Sequence, residues 1–128
     1  MLIANFSNPQ GSLMPEANKR RILALLASKN VALIEDDTYG DLGFTVPRPA
    51  SCFALAPQAD IFYCGTFSKT ISPDLRLGWV IAPKHTAKLE YLKFISKKVR
   101  RNAQILDLPK GKGWFFENRI DLAYLSSN

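Results

Sequence analysis

Residues 31–39 read Val31-Ala32-Leu33-Ile34-Glu35-Asp36-Asp37-Thr38-Tyr39: four apolar residues, then three acids, a hydroxyl and a phenol. An unbroken apolar run of this length suits a strand covered on both faces, and the polar residues then fall beyond its carboxyl end. The same pattern recurs along the chain. Leu2-Ile3-Ala4 passes into Asn5-Phe6-Ser7-Asn8-Pro9-Gln10-Gly11, a stretch of turn formers. Ile61-Phe62-Tyr63-Cys64 passes into Gly65-Thr66-Phe67-Ser68-Lys69, and Trp79-Val80-Ile81-Ala82 follows Arg76. Between the first two runs, Pro15-Glu16 predicts a helix start, because proline is tolerated in the first turn and an acid suits the positive end. Ile22, Leu23, Leu25 and Leu26 then give that helix an apolar stripe. From about His85, Leu89, Leu92, Ile95 and Val99 repeat at the same spacing. Strands alternating with helices predict an α/β domain with a largely parallel sheet.

Composition narrows the function. With 128 residues the chain is about one domain long, and 47% hydrophobic with 22% charged residues is ordinary for a soluble fold. No apolar run approaches the roughly 20 residues that span a bilayer. The start, Met1-Leu2-Ile3-Ala4-Asn5-Phe6, has no basic segment leading into a long apolar one, so no signal peptide and no membrane contact are expected. Cys52 and Cys64 have neither metal-knuckle nor redox-pair spacing; reduced, buried thiols and a cytoplasmic setting are expected. Residues 84–128 carry ten basic and four acidic side chains, so the whole net charge of +6 sits there. A solvated helix face packing on further sequence is the simpler account, with nucleic-acid or membrane contact the less favoured one. Neither GxGxxG nor GxxxxGK[ST] occurs, which argues against dinucleotide and nucleoside-triphosphate sites. His85 has no metal-spaced partner and reads as a helix-start residue, so no metal is expected. Pro47 and Pro49 mark a loop.

In open α/β sheets ligands bind beyond the carboxyl ends of the strands. Asn8, Glu35–Tyr39 and Thr66–Lys69 fall there. Arg76 reaches the same edge only if the strand after it runs antiparallel to the others. Thr66, Ser68 and Arg76 suit a phosphate dianion. Asp36 can pair with a protonated ring nitrogen, Asn8 and Tyr39 with a phenolate oxygen, and Lys69 offers a primary amine. Pyridoxal 5'-phosphate (PLP) takes all four kinds of partner. Competing readings of Glu35-Asp36-Asp37 are a helix cap with an exposed acid pair, or the acidic pocket of a phosphoacceptor domain. The latter would lack the Asn-Pro-x-Gly turn and the Ser-Lys…Arg pattern.

The stretch from Asn8 to about Ser96 resembles the large domain of fold type I PLP-dependent aminotransferases. Within them it is most like the branch shared by kynurenine/α-aminoadipate aminotransferases and MocR-type GntR regulators. Asn8-Pro9-Gln10-Gly11 resembles the family's Asn-Pro-x-Gly turn, and Asp36-Asp37-Thr38-Tyr39 its Asp-x-x-Tyr motif. Gly65-Thr66-Phe67-Ser68-Lys69 with Leu75-Arg76-Leu77-Gly78 resembles its lysine segment and phosphate arginine. The resemblance implies that Lys69 holds the cofactor and moves the substrate proton. It implies Asp36 at the ring nitrogen (Asp37 is the second choice), Asn8 and Tyr39 at the phenolate oxygen, and Thr66, Ser68 and Arg76 at the phosphate. It further implies amino-group transfer between an amino acid and a 2-oxo acid in the full-length parent, and a homodimer. DNA is an expected partner only if the parent carries an N-terminal winged helix-turn-helix.

Other family parts have no counterpart: the upstream glycine-bearing phosphate loop, the aromatic that stacks on the ring, and the distal arginine for the substrate carboxylate. The chain is therefore expected to be a truncated piece, inactive by itself. Residues 1–96 are assigned to the large domain. Residues 97–128 are a divergent basic tail, in which Trp114-Phe115-Phe116 is an apolar cluster with no evident partner.

Overall fold

The structure, a computed structural model, describes residues 1–75, 77–91 and 113–117. Helix α1 spans Glu16–Ser28, entered from Pro15 as the spacing predicts. Its far end closes through Asn30, whose φ of 52° lies in the left-handed region that asparagine tolerates. The Asn30 and Val31 N–H groups reach back to the carbonyls of Ala27 and Leu26, at 3.1 and 3.0 Å. Val31 is thus used to end the helix, and strand β1 begins only at Leu33, spanning Leu33–Asp36.

Along β1, Leu33 and Glu35 are buried whereas Ile34 is 45% exposed. The expectation of a strand covered on both faces therefore fails among the described residues. Successive side chains point to opposite faces, and the buried cluster lies on one of them. That core gathers Ala4, Leu33, Cys52 and Ile61, with Leu23 and Leu26 of α1 and Phe53 and Tyr63 packed around it.

A crossover containing the short helix α2 (Cys52–Leu55) leads to β2 (Ile61–Thr66), parallel to β1 with Leu33 opposite Ile61 and Asp36 opposite Cys64. Strand β3 (Leu77–Ile81) returns antiparallel, with Thr66 opposite Gly78. Strand β4 (Gly113–Glu117) pairs antiparallel with β3. The order is β1-β2-β3-β4, so among the described strands β3 alone runs against the others, the direction that the position of Arg76 demands. The backbone of Trp114-Phe115-Phe116 has a partner after all: it pairs with Val80, Trp79 and Gly78 of β3.

The expected first strand is reduced to one parallel bridge. Leu2 exchanges hydrogen bonds of 2.8 and 2.9 Å with the Ile34 carbonyl and the Asp36 N–H. That bridge still directs residues 4–8 toward the edge where β1 and β2 end. Residues 86–91 are helical, as expected after His85; Leu92, Ile95 and Val99 lie outside the described residues. Among the described residues no helix is long and apolar enough to cross a membrane.

Candidate functional site

The edge is built by segments that each leave a core element and turn. After Leu2, the chain closes a tight loop in which Ser7 N–H bonds Ser12 O at 3.0 Å and Gly11 N–H bonds Ser7 O at 2.6 Å. Gly11 adopts φ +65°, a conformation that glycine reaches without the usual side-chain clash. This loop presents Asn8, whose Nδ2 donates to the Tyr39 hydroxyl at 3.0 Å. Two residues 31 positions apart, assigned to the same ligand oxygen, are thus brought together.

The two aspartates at the end of β1 part company. Asp36 is half-buried, and its Oδ1 accepts from the Thr38 N–H at 3.1 Å and the Thr38 hydroxyl at 2.5 Å. Its Oδ2 has no partner among the described residues. The Asp37 side chain is 1% exposed. Its Oδ1 accepts from Asn5 Nδ2 at 3.0 Å, and its Oδ2 accepts from the Tyr63 hydroxyl at 2.6 Å and from Arg48. Gly40 permits this crowding, because a Cβ there would meet both Arg48 and Asp37.

At the end of β2, Thr66 Oγ1 lies 2.8 Å from the Leu77 carbonyl, 3.1 Å from the Ser68 N–H and 3.0 Å from Ser68 Oγ. The threonine thereby ties the loop to the start of β3. Ile71 N–H closes the following turn on Phe67 O at 2.9 Å. Lys69 stands exposed on that turn and has no ion pair or hydrogen bond among the described residues. Arg76 lies outside the described residues; β3 starts at Leu77 on this same edge.

Behind the edge is a polar cluster that sequence reasoning missed. Lys19 and Asn5 are 2% and 0% exposed, and Lys19 Nζ donates to Asn5 Oδ1 and Ala50 O, both at 2.6 Å. Glu35, also fully buried, accepts from the Cys52 and Phe53 N–H groups at 2.6 and 2.9 Å, capping α2 from a distant strand. The cap reading of this acid run therefore holds for Glu35. The available signal was a charged residue at i+2 from Leu33 on the core face, and a lysine in line with Leu23 and Leu26 on α1.

Burial pushes the Cys52 thiol up to about 12, with nearby Glu35 adding to the effect. Burial also raises Tyr63, and its hydrogen bond to Asp37 reinforces that. Cys64 is raised by burial and then by Asp36. For Arg48 burial is the largest single influence and acts downward, but Asp37, Tyr63 and Asp41 together outweigh it and the net shift is upward. Both cysteines are free thiols, Cys52 buried and Cys64 half-buried. His85 Nε2 lies 2.5 Å from Asp60 Oδ1 and its ring stacks on Phe62, so it is held by packing on β2.

Residues 1–105 match the family model described as "Aminotransferase class I and II". An uncharacterised HTH-type transcriptional regulator of Escherichia coli K12, YjiR, is 37% identical over 94 residues, covering 73% of this chain and 20% of the relative. The 2-aminoadipate transaminase of Thermus thermophilus is 38% identical over 92 residues, covering 69% of this chain and 23% of the relative. Among solved structures, the α-aminoadipate aminotransferase LysN of Thermus thermophilus, complexed with N-(5'-phosphopyridoxyl)-L-leucine, superposes with a TM-score of 0.68. The identity there is 35%, over 77% of this chain and 25% of LysN. The chain thus spans about a fifth to a quarter of the length of these relatives.

Proposed function

The chain belongs to the class I and II aminotransferase family, and from that premise we propose that its sheet edge is a PLP site serving amino-group transfer between an amino acid and a 2-oxo acid. The observation that carries this reading is the Asn8–Tyr39 contact of 3.0 Å on the edge that also bears Asp36, Thr66, Ser68 and Lys69.

The donor set fits the cofactor group by group. Thr38 fixes one oxygen of Asp36 and leaves the other for the ring nitrogen, which a carboxylate keeps protonated. Asp37 is the poorer candidate, because Asn5, Tyr63 and Arg48 already occupy both its oxygens. Tyr39 accepts from Asn8, so its own hydroxyl proton points onward to the phenolate oxygen together with the second Asn8 N–H. Ser68 would donate its hydroxyl to the phosphate, joined by Arg76 on the strength of its sequence position, and Thr66 would do so by turning its one proton from the Leu77 carbonyl. Lys69 binds the cofactor through its amine and carries the proton to and from the substrate carbon. When bound, the cofactor supplies an electron sink for the charge left on that carbon. Residues 1–96 are assigned to the central part of the large domain; the family match runs on to residue 105 and β4 adds a strand to the same sheet. The protein is proposed to be cytoplasmic and to act as a homodimer.

The likeness to YjiR favours a second reading, the effector-binding part of an HTH-type regulator, with the same ligand contacts but no turnover. The gene sequence upstream of the Met1 codon distinguishes them, since an in-frame winged helix-turn-helix would mark the regulator.

The test of the site is to mix the purified chain with PLP, reduce with borohydride and map the modified peptide by mass spectrometry. A pyridoxyl group confined to Lys69 and lost in Lys69→Ala supports the reading. Labelling scattered over surface lysines of a folded chain rejects it.

A further inference from the structure

The cluster behind the edge contains a buried ammonium that neither closes a turn nor caps a helix. Lys19 reaches from α1 to Asn5 and to the Ala50 carbonyl. Burying an ammonium is costly unless acceptors and a counter-charge hold it. Here the counter-charge is reached through an amide. Lysine can only donate and a carboxylate can only accept, so the Asn5 side chain has one workable orientation. Its Oδ1 faces Lys19 and its Nδ2 faces Asp37. Tyr63 and Arg48 complete Asp37 from the other side.

Each link in this line sits beside a residue of the edge. Asn5 precedes the loop that carries Asn8, and Asp37 lies between Asp36 and Tyr39 in the chain. The Asp37 backbone is itself fixed, its N–H bonding Cys64 O at 2.9 Å and its carbonyl accepting from the Gly40 N–H at 3.1 Å. A shift in the Asn5–Asp37 contact therefore changes the separation of the two segments whose side chains meet at Asn8 and Tyr39.

We propose that Lys19 is a positioning residue for the ligand edge, acting through Asn5 and Asp37 to hold the Asn8 loop in register with the Asp36–Tyr39 turn. The functional consequence rests on the PLP reading given above; the positioning itself does not. Lys19 touches no ligand. A merely stabilising lysine would leave the geometry of the edge unchanged in any variant that still folds.

The experiment compares the whole chain with Lys19→Met and Lys19→Arg by NMR, following the Asn5 and Asn8 side-chain amides and the Thr38 and Tyr39 backbone amides, with circular dichroism as the folding control. In folded Lys19→Met all four sets of signals should move, and Lys19→Arg, which keeps the donors, should bring them back toward the original positions. Movement of Asn5 alone would overturn the proposal. If Lys19→Met does not fold, Arg48→Gln provides the second variant, since it loosens Asp37 from a partly exposed position. The Asn8 and Tyr39 signals must then move, and their staying in place would equally overturn the proposal. PLP labelling of Lys69 should fall roughly tenfold or more in folded Lys19→Met, in the range seen when groups that orient a ligand's partners are removed. An original chain that takes no label would reject the PLP reading while the amide signals still decide the role of Lys19.

Discussion

Asp36 and Asp37 are neighbours in the chain, yet they belong to two regions built on opposite terms. On the edge, Asp36, Tyr39, Ser68 and Lys69 are exposed or half-buried, and Asp36 Oδ2 and the Lys69 amine have no partner among the described residues. In the cluster behind it, Asn5, Lys19, Glu35 and Asp37 are buried and each is hydrogen-bonded to another residue. The difference follows from burial. A polar group out of water is tolerable only when paired, whereas a group that is to meet a ligand must keep its hydrogen-bonding capacity open. The cluster holds the backbone in place, and the edge retains the free valences.

The sharpest way to break this contrast is Asp37→Ala. It leaves the buried Lys19–Asn5 pair without its carboxylate and should destabilise the chain by about 3–5 kcal/mol, read from the urea unfolding midpoint. A loss no larger than that of an exposed residue would show that the cluster is not a structural unit. Asp36→Ala probes the other side. Stability should drop by no more than about 1.5 kcal/mol, the range for a single hydrogen bond. PLP affinity, measured by absorbance titration, should fall by about 1.5–3 kcal/mol, or about tenfold to a hundredfold. If the two variants exchanged these effects, Asp37 would be the ring-nitrogen partner.

A smaller effect is expected with alkali. The Cys52 thiol is pushed from an ordinary 9.0 up to about 12, first by burial and then by Glu35, so the folded state favours the neutral thiol. This contribution is intact below pH 9.0 and is lost as the pH climbs toward about 12. Tyr63, raised by burial and by Asp37, acts in the same direction. Unfolding midpoints between about pH 8 and about pH 11 should therefore decline, and decline less steeply in Cys52→Ala. A profile identical in both chains would remove Cys52 from the account. Smallest of all is Arg20→Ala, which deletes the exposed pair with Glu16 at 2.7 Å on α1. A change of about 0.3–0.5 kcal/mol, diminishing further with added salt, is expected in the same midpoints.

Much of the edge was legible in the chain. Apolar runs ending in polar residues place Asp36, Thr66 and Lys69 at or just beyond the ends of β1 and β2, and Asn8 beyond the single bridge at Leu2. The position of Arg76 demands a reversed strand, and β3 is reversed. The start of α1 follows from Pro15-Glu16. Such features depend on contacts between residues a few positions apart, which periodicity and turn chemistry record directly. Other features are decided by where distant segments meet. Lys19 and Asn5 are 14 positions apart, Glu35 caps a helix 17 positions on, and Asn5 finds Asp37 across 32. Val31 reads as strand yet closes a helix, and residues 114–116 pair with β3 across a long separation. By itself the sequence determined the α/β alternation and the chemical inventory of the edge, because those reside in local spacing. Only the tertiary structure decided which of two adjacent aspartates is enclosed and which stays open, because that choice depends on which groups arrive from the other side of the core.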